Sequence, residues 1–92
     1  MENQNEKGPA VEFVYLKTND EVKFHAGWDE TLQSVWEMAY GKLEETKLGG
    51  DEVECRSGTS LMPYLAFTLA QLRDQQICAS RKFQIRSETG GA

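Results

Sequence analysis

Two runs of β-branched and aromatic residues, VEFVYLK at 11–17 and EVKFHA at 21–26, are separated only by Thr18-Asn19-Asp20. Such side chains favour strands. Asn and Asp accept left-handed backbone and bond to their own main chain, so the short link reads as a turn. The chain is therefore expected to open with an antiparallel hairpin. A hairpin is not stable alone in water and needs an apolar surface against one face.

That surface comes next in the chain. Gly27 breaks the second strand, and Asp29 or Thr31 can cap a helix. Leu32, Val35, Trp36, Ala39, Tyr40 and Leu43 then recur at spacings of three and four, which puts them on one helical stripe. Gly49-Gly50 is expected to end the segment. Residues 51–56 (DEVECR) alternate as a weak strand with Val53 and Cys55 on one face, and Ser57-Gly58 turns the chain. Ser60 as a cap, Pro63 early and an apolar stripe of Leu61, Leu65, Leu69 and Leu72 predict a second helix over 61–72. Residues 81–87 (RKFQIRS) make the last strand, with Phe83 and Ile85 on its inner face.

The order strand, strand, helix, strand, helix, strand is an α+β layout: a mixed sheet on one main helix, with a second helix before the last strand. The expected core is Val14, Leu16, Val22, Phe24, Leu32, Val35, Ala39, Phe83 and Ile85. A one-residue slip in the hairpin would place Phe13 and Tyr15 inside instead. Otherwise Phe13 and Tyr15 form an exposed aromatic pair suited to a partner, with the second helix as the alternative cover.

The 92 residues allow one domain. Hydrophobic content of 39% against 27% charged residues fits a folded domain and not a disordered chain. A formal net charge of −5 argues against nucleic acid or anionic membrane as partner, since phosphate binding needs a basic surface. Residues 1–10 are polar, without the basic start and apolar stretch of a signal peptide, so they read as a flexible arm on a cytoplasmic protein. Cys55 and Cys78 make no disulfide framework and are expected to be thiols in that compartment.

Catalysis is not expected. His25 is the one histidine, so no metal or cofactor site built on histidine and cysteine is expected, and a nucleophile would lack a second base. Glu44-Glu45, Asp51-Glu52 and Glu54 read as solvated surface acids. The chemistry points instead past the last strand, to Glu88-Thr89-Gly90-Gly91-Ala92. A glycine pair is conformationally free and sterically thin. It can thread a channel where any side chain would clash.

The element order together with Gly90-Gly91 resembles the β-grasp fold of ubiquitin and its relatives, over residues 11–91. On this resemblance 11–87 is the ubiquitin-like domain and 88–92 a flexible conjugation tail. The resemblance implies that a peptidase removes Ala92, that an E1-like enzyme adenylates the Gly91 carboxylate, and that Gly91 passes through a cysteine to a target amine. It is similar in particular to ubiquitin-like proteins of bacterial operons that also encode E1-like, E2-like and JAB-type metallopeptidase proteins. These, with the target proteins, are the implied partners of a free monomer, and Phe13, Tyr15 and Arg86 the candidate recognition residues. Two departures stand out: the apolar helix at 61–72, and Ser87-Glu88-Thr89 in the tail. A sulfur carrier of the same fold, activated as a thiocarboxylate, and a non-conjugated interaction domain remain alternatives.

Overall fold

The computed structural model describes residues 8–87. Strands β1 (Ala10–Tyr15) and β2 (Asp20–His25) form the expected hairpin. Helix α1 (Leu32–Leu43), strand β3 (Glu52–Cys55), a 3₁₀ turn (Met62–Tyr64), helix α2 (Leu69–Asp74) and strand β4 (Lys82–Arg86) come after it. The four strands form one sheet in the order β2-β1-β4-β3. The two inner strands, β1 and β4, run parallel, and each outer strand pairs antiparallel with its neighbour. This is a mixed sheet with one main helix, a layout compatible with a β-grasp.

The hairpin takes the slipped register. Its turn occupies residues 16–19, earlier than the expected 18–20, with Asn19 at φ 67 and the Thr18 and Asn19 N–H groups both donating to the Tyr15 carbonyl. Leu16 therefore falls in the turn and is 40% exposed, and Val14 lies on the outer sheet face, half-buried. Val11, Phe13 and Tyr15 point inward instead. Phe13 lies opposite Val22 on β2 and Phe83 on β4, with ring centroids 4.9 Å from Phe83 and 6.0 Å from Phe24. Burying two aromatic rings on the central strands removes far more apolar area from water than Val14 and Leu16 would.

Helix α1 presents the predicted stripe, and Leu32, Val35, Trp36, Ala39 and Tyr40 are buried. Thr31 caps it by accepting the Ser34 N–H. Its other end comes sooner than Gly49-Gly50. Glu44 takes a left-handed φ of 60, and its N–H returns to Gly41 and Tyr40 carbonyls.

The second helix is shorter than the expected 61–72. The Leu65 and Phe67 carbonyls accept the N–H groups of Gln33 and Leu32, in the first turn of α1. Those N–H groups have no partner inside their own helix, and supplying one takes residues 65–67 out of helical conformation. A new helix then starts at Thr68, whose side chain and that of Gln71 form a reciprocal capping box. Pro63 sits in the first turn of the short 3₁₀ segment, where its missing N–H costs nothing.

A further expectation, that the cysteines are thiols, is corrected. Cys55 and Cys78 form a disulfide, with Cα atoms 5.8 Å apart, tying the end of β3 to the loop before β4. Both side chains are buried, so the pair meets in the core and not at the surface. At the other terminus, Gly8 and Pro9 are packed against the domain: Ala26 N–H donates to the Pro9 carbonyl, and a Cβ at Gly8 would collide with the Ala26 oxygen. Only glycine allows that approach, and β1 itself starts at Ala10.

Candidate functional site

Gly90, Gly91 and Ala92 lie outside the described residues, as do residues 1–7. The structure does place the root from which the tail leaves. Parallel pairing sets Tyr15 beside Ile85, antiparallel pairing sets Glu52 beside Arg86, and Leu16 N–H donates to the Ile85 carbonyl at 3.0 Å. The chain thus leaves a central strand that is held by β1 as far as Ile85 and by β3 as far as Arg86.

Side chains reinforce this root. Glu54 accepts from Arg86 Nε at 2.8 Å, Arg86 Nη2 at 3.2 Å and Gln84 Nε2 at 2.7 Å. Glu54 is only 6% exposed, which corrects its reading as a solvated acid. The Arg86 bond holds its carboxyl below the ordinary range, against the opposing effect of burial and with help from Gln84. Ser87, the next residue, is buried. The Tyr15 ring meets Tyr40 edge-on at 6.3 Å, and Tyr40 in turn bonds Asp51. Asp51 is buried as well, a second acid taken from the surface.

Phe13 and Tyr15 do not form an exposed recognition pair. They are 0% and 1% exposed, because the register turns them to the helix side of the sheet. The outer face carries Val14 in their place, and Leu16 is exposed in the turn. Arg86 is on that outer face too, 57% exposed along its side chain, and already paired with Glu54.

Burial first, then the Asp51 carboxylate, keep the Tyr15 and Tyr40 phenols protonated well above the usual tyrosine value. His25 is exposed, its Nδ1 3.0 Å from the Gly8 carbonyl. Among the described residues no three His, Cys, Asp or Glu side chains come together to hold a metal ion. Nor is any helix there long and apolar enough to cross a membrane.

Sequence reasoning missed Glu54, Gln84 and Asp51 as parts of this root. One signal was present: Glu54 falls out of phase with Val53 and Cys55, on the face that Gln84 and Arg86 share by the same alternation. No protein-family model matches the chain, and no curated protein matches its sequence. The fold alone defines its class, a small α+β domain with a mixed four-stranded sheet.

Proposed function

We propose that this chain is a ubiquitin-like protein modifier whose reacting group is the carboxylate of Gly91. The observation that carries the reading is the position of β4: it is a central strand, fastened by Arg86–Glu54, and Gly90-Gly91 follow it in the sequence. A rigid root with a side-chain-free end beyond it suits delivery of a carboxylate into a narrow enzyme site.

On this reading the chain contributes no catalytic group. A JAB-type zinc peptidase cleaves the Gly91–Ala92 peptide bond with a metal-activated water. An E1-like enzyme joins the freed carboxylate to the adenylyl group of ATP, releasing pyrophosphate. A cysteine thiolate displaces AMP, and an E2-like enzyme carries the thioester to a target amine, which displaces the thiol and leaves an amide.

The reading places the protein in the cytoplasm, and the Cys55–Cys78 bond bears on that. Disulfides persist in oxidising compartments and are opened by cytosolic thiols. A cytoplasmic modifier must therefore keep its fold with the pair reduced.

The experiment compares chains ending at Gly91 and at Ala92, each with an E1-like enzyme and ATP, with and without a JAB-type peptidase. The Gly91 form should be activated in both conditions, and the Ala92 form only with peptidase. A bulky residue at Gly91 should block cleavage and activation together without altering the fold. Equal activation of the Ala92 form without peptidase contradicts the mechanism.

A further inference from the structure

The sheet has two edge strands, β2 and β3, and the chain itself closes β3. Leu61 N–H donates to the Val53 carbonyl at 3.0 Å, Cys55 N–H to the Thr59 carbonyl at 2.8 Å, and Val53 N–H to Met62 Sδ at 3.4 Å. The pairing of β2 with β1 shows which of its main-chain groups stay free. Ala26 N–H donates to the Pro9 carbonyl, and antiparallel bonding alternates residue by residue from that pair. Val11–Phe24, Phe13–Val22 and Tyr15–Asp20 are therefore the bonded pairs. The β1 residues between them agree, because the Glu12 and Leu16 N–H groups donate the other way, to the Arg81 and Ile85 carbonyls. The N–H and C=O groups of Glu21, Lys23 and His25 thus point out from the edge of the sheet, and all three residues are exposed.

A row of unpaired main-chain groups is a template for another strand, and the charges along this one select it. A second copy of β2 laid antiparallel on the edge must match outward-pointing residues with outward-pointing residues, so its register moves in steps of two. Opposite charges directly across a strand pair attract, and like charges repel. The register with Lys23 opposite Lys23 sets like charges at its centre, and that with Glu21 opposite Glu21 does the same. Registers that set Lys23 or His25 opposite His25 pair no acid with a lysine. One register remains: Glu21 opposite Lys23, twice, with Val22 facing Val22 at the twofold centre.

That register extends a row of alternating charge already present on the outer sheet face. Arg56 reaches Glu12 at 3.6 Å, and Lys23 reaches the same carboxylate at 3.4 Å. Lys23 is 63% exposed along its side chain, and an ammonium has three donors, so it can take Glu21 of the second copy as well. Glu21 has no side-chain partner among the described residues. A lysine on an edge ordinarily wards off a second strand; here it meets an acid on both sides. On the helix side the half-buried Val22 gains its own counterpart. The net charge of −5 repels two copies at a distance, but physiological salt screens that repulsion beyond about 8 Å.

We propose that β2 is a self-association edge: two copies of this chain pair antiparallel through Glu21 and Lys23, joining their sheets into one. This departs from the free monomer that the ubiquitin-like resemblance implies. Because β3 is closed, the pairing stops at two copies and does not run on into a fibre. The contact is small, so the dimer is weak and forms with rising concentration. β1 stands between β2 and β4, which leaves the tail root open, and the inference does not depend on what the tail does.

The test is sedimentation equilibrium of the full chain at physiological salt, over an about hundredfold range of concentration. The average mass should rise toward that of two chains and level there, and amide exchange at Glu21 and Lys23 should slow as it rises. Glu21→Lys and Lys23→Glu should each weaken association about tenfold or more. An equimolar mixture of the two variants should recover it, since each lysine of the mixed pair then faces a glutamate. Glu21 is exposed and unpartnered within the chain, so Glu21→Lys keeps the fold. Four results would overturn the proposal: the mass of one chain at every concentration, a mass that climbs past two, undiminished association of Glu21→Lys, or no recovery in the mixture. Slow exchange at Glu21 and Lys23 in dilute chain would overturn it too, since the edge would then be covered from within.

Discussion

The Tyr40 hydroxyl donates a 2.7 Å hydrogen bond to Asp51 Oδ2, joining the last turns of α1 to the residue before β3. The Leu48 N–H reaches the same oxygen at 3.1 Å. A buried carboxylate that loses one of these donors is left under-satisfied, so Tyr40→Phe should cost about 1–2 kcal/mol in urea unfolding at neutral pH. The phenols of Tyr40 and Tyr15 are both raised from their ordinary value of 10.0. Above about pH 10 the unfolded chain releases protons that the folded chain keeps, so stability falls as pH rises further. Tyr40→Phe should make that fall shallower. An unchanged alkaline slope would mean the phenol is not held as described.

The hairpin register makes opposite predictions for adjacent faces. Phe13→Ala removes a ring packed on Phe24 and Phe83 and should cost about 3–5 kcal/mol. Leu16→Ala, in the exposed turn, should change stability by less than about 0.5 kcal/mol. Denaturant midpoints for the two variants in the reverse order would restore the other register.

How much of this was legible in the sequence depends on where the signals are local. The stripe on α1 and the alternation in β4 each come from a single period, and Leu32, Val35, Phe83 and Ile85 are buried as that period requires. Register was not local. Both faces of residues 11–17 are apolar, so only the Phe83 and Val22 partners, far along the chain, decide that Phe13 and Tyr15 face inward. The break at 65–67 has the same origin: carbonyls are drawn to the free N–H groups of α1, which no pattern within 61–72 records. The tail lies outside the described residues. Its root was only half legible. Arg86 was singled out for partners, and its binding to Glu54 required knowing that β3 and β4 pair.

The Cys55–Cys78 bond closes a loop with a sequence separation of 23. Such a crosslink restricts the unfolded chain and should contribute about 3 kcal/mol. Urea unfolding with and without dithiothreitol measures it: the wild-type midpoint should drop on reduction, and the Cys55→Ala, Cys78→Ala double variant should show no response. A double variant that no longer folds would mean the domain depends on the bond, which would count against a cytoplasmic modifier.

Glu54 and Arg86 predict the acid limb. The carboxyl is lowered in the folded state, so its contribution is present above the unfolded value, about 4.3, and is lost as pH falls through the folded one. Glu54→Gln removes the charge and keeps the shape. Its stability should change less between pH 7 and acid than that of the wild type, read from urea midpoints. Removing the guanidinium with Arg86→Ala should cost about 1–2 kcal/mol at neutral pH, because it leaves a buried carboxylate with Gln84 as its remaining side-chain donor.

The central claim, that Gly91 becomes joined to other proteins, has a direct chemical signature. Trypsin cuts after Arg86, so a target amine carrying this modifier would retain the branch Ser87-Glu88-Thr89-Gly90-Gly91 after digestion. Mass spectrometry of proteins captured through an N-terminal tag on this chain, expressed in its own host, detects that branch. The account predicts lysine-containing peptides bearing Ser87 through Gly91, with Ala92 absent from every branch. Captured chain whose last tryptic peptide is always linear and still runs through Gly91 into Ala92 would contradict it.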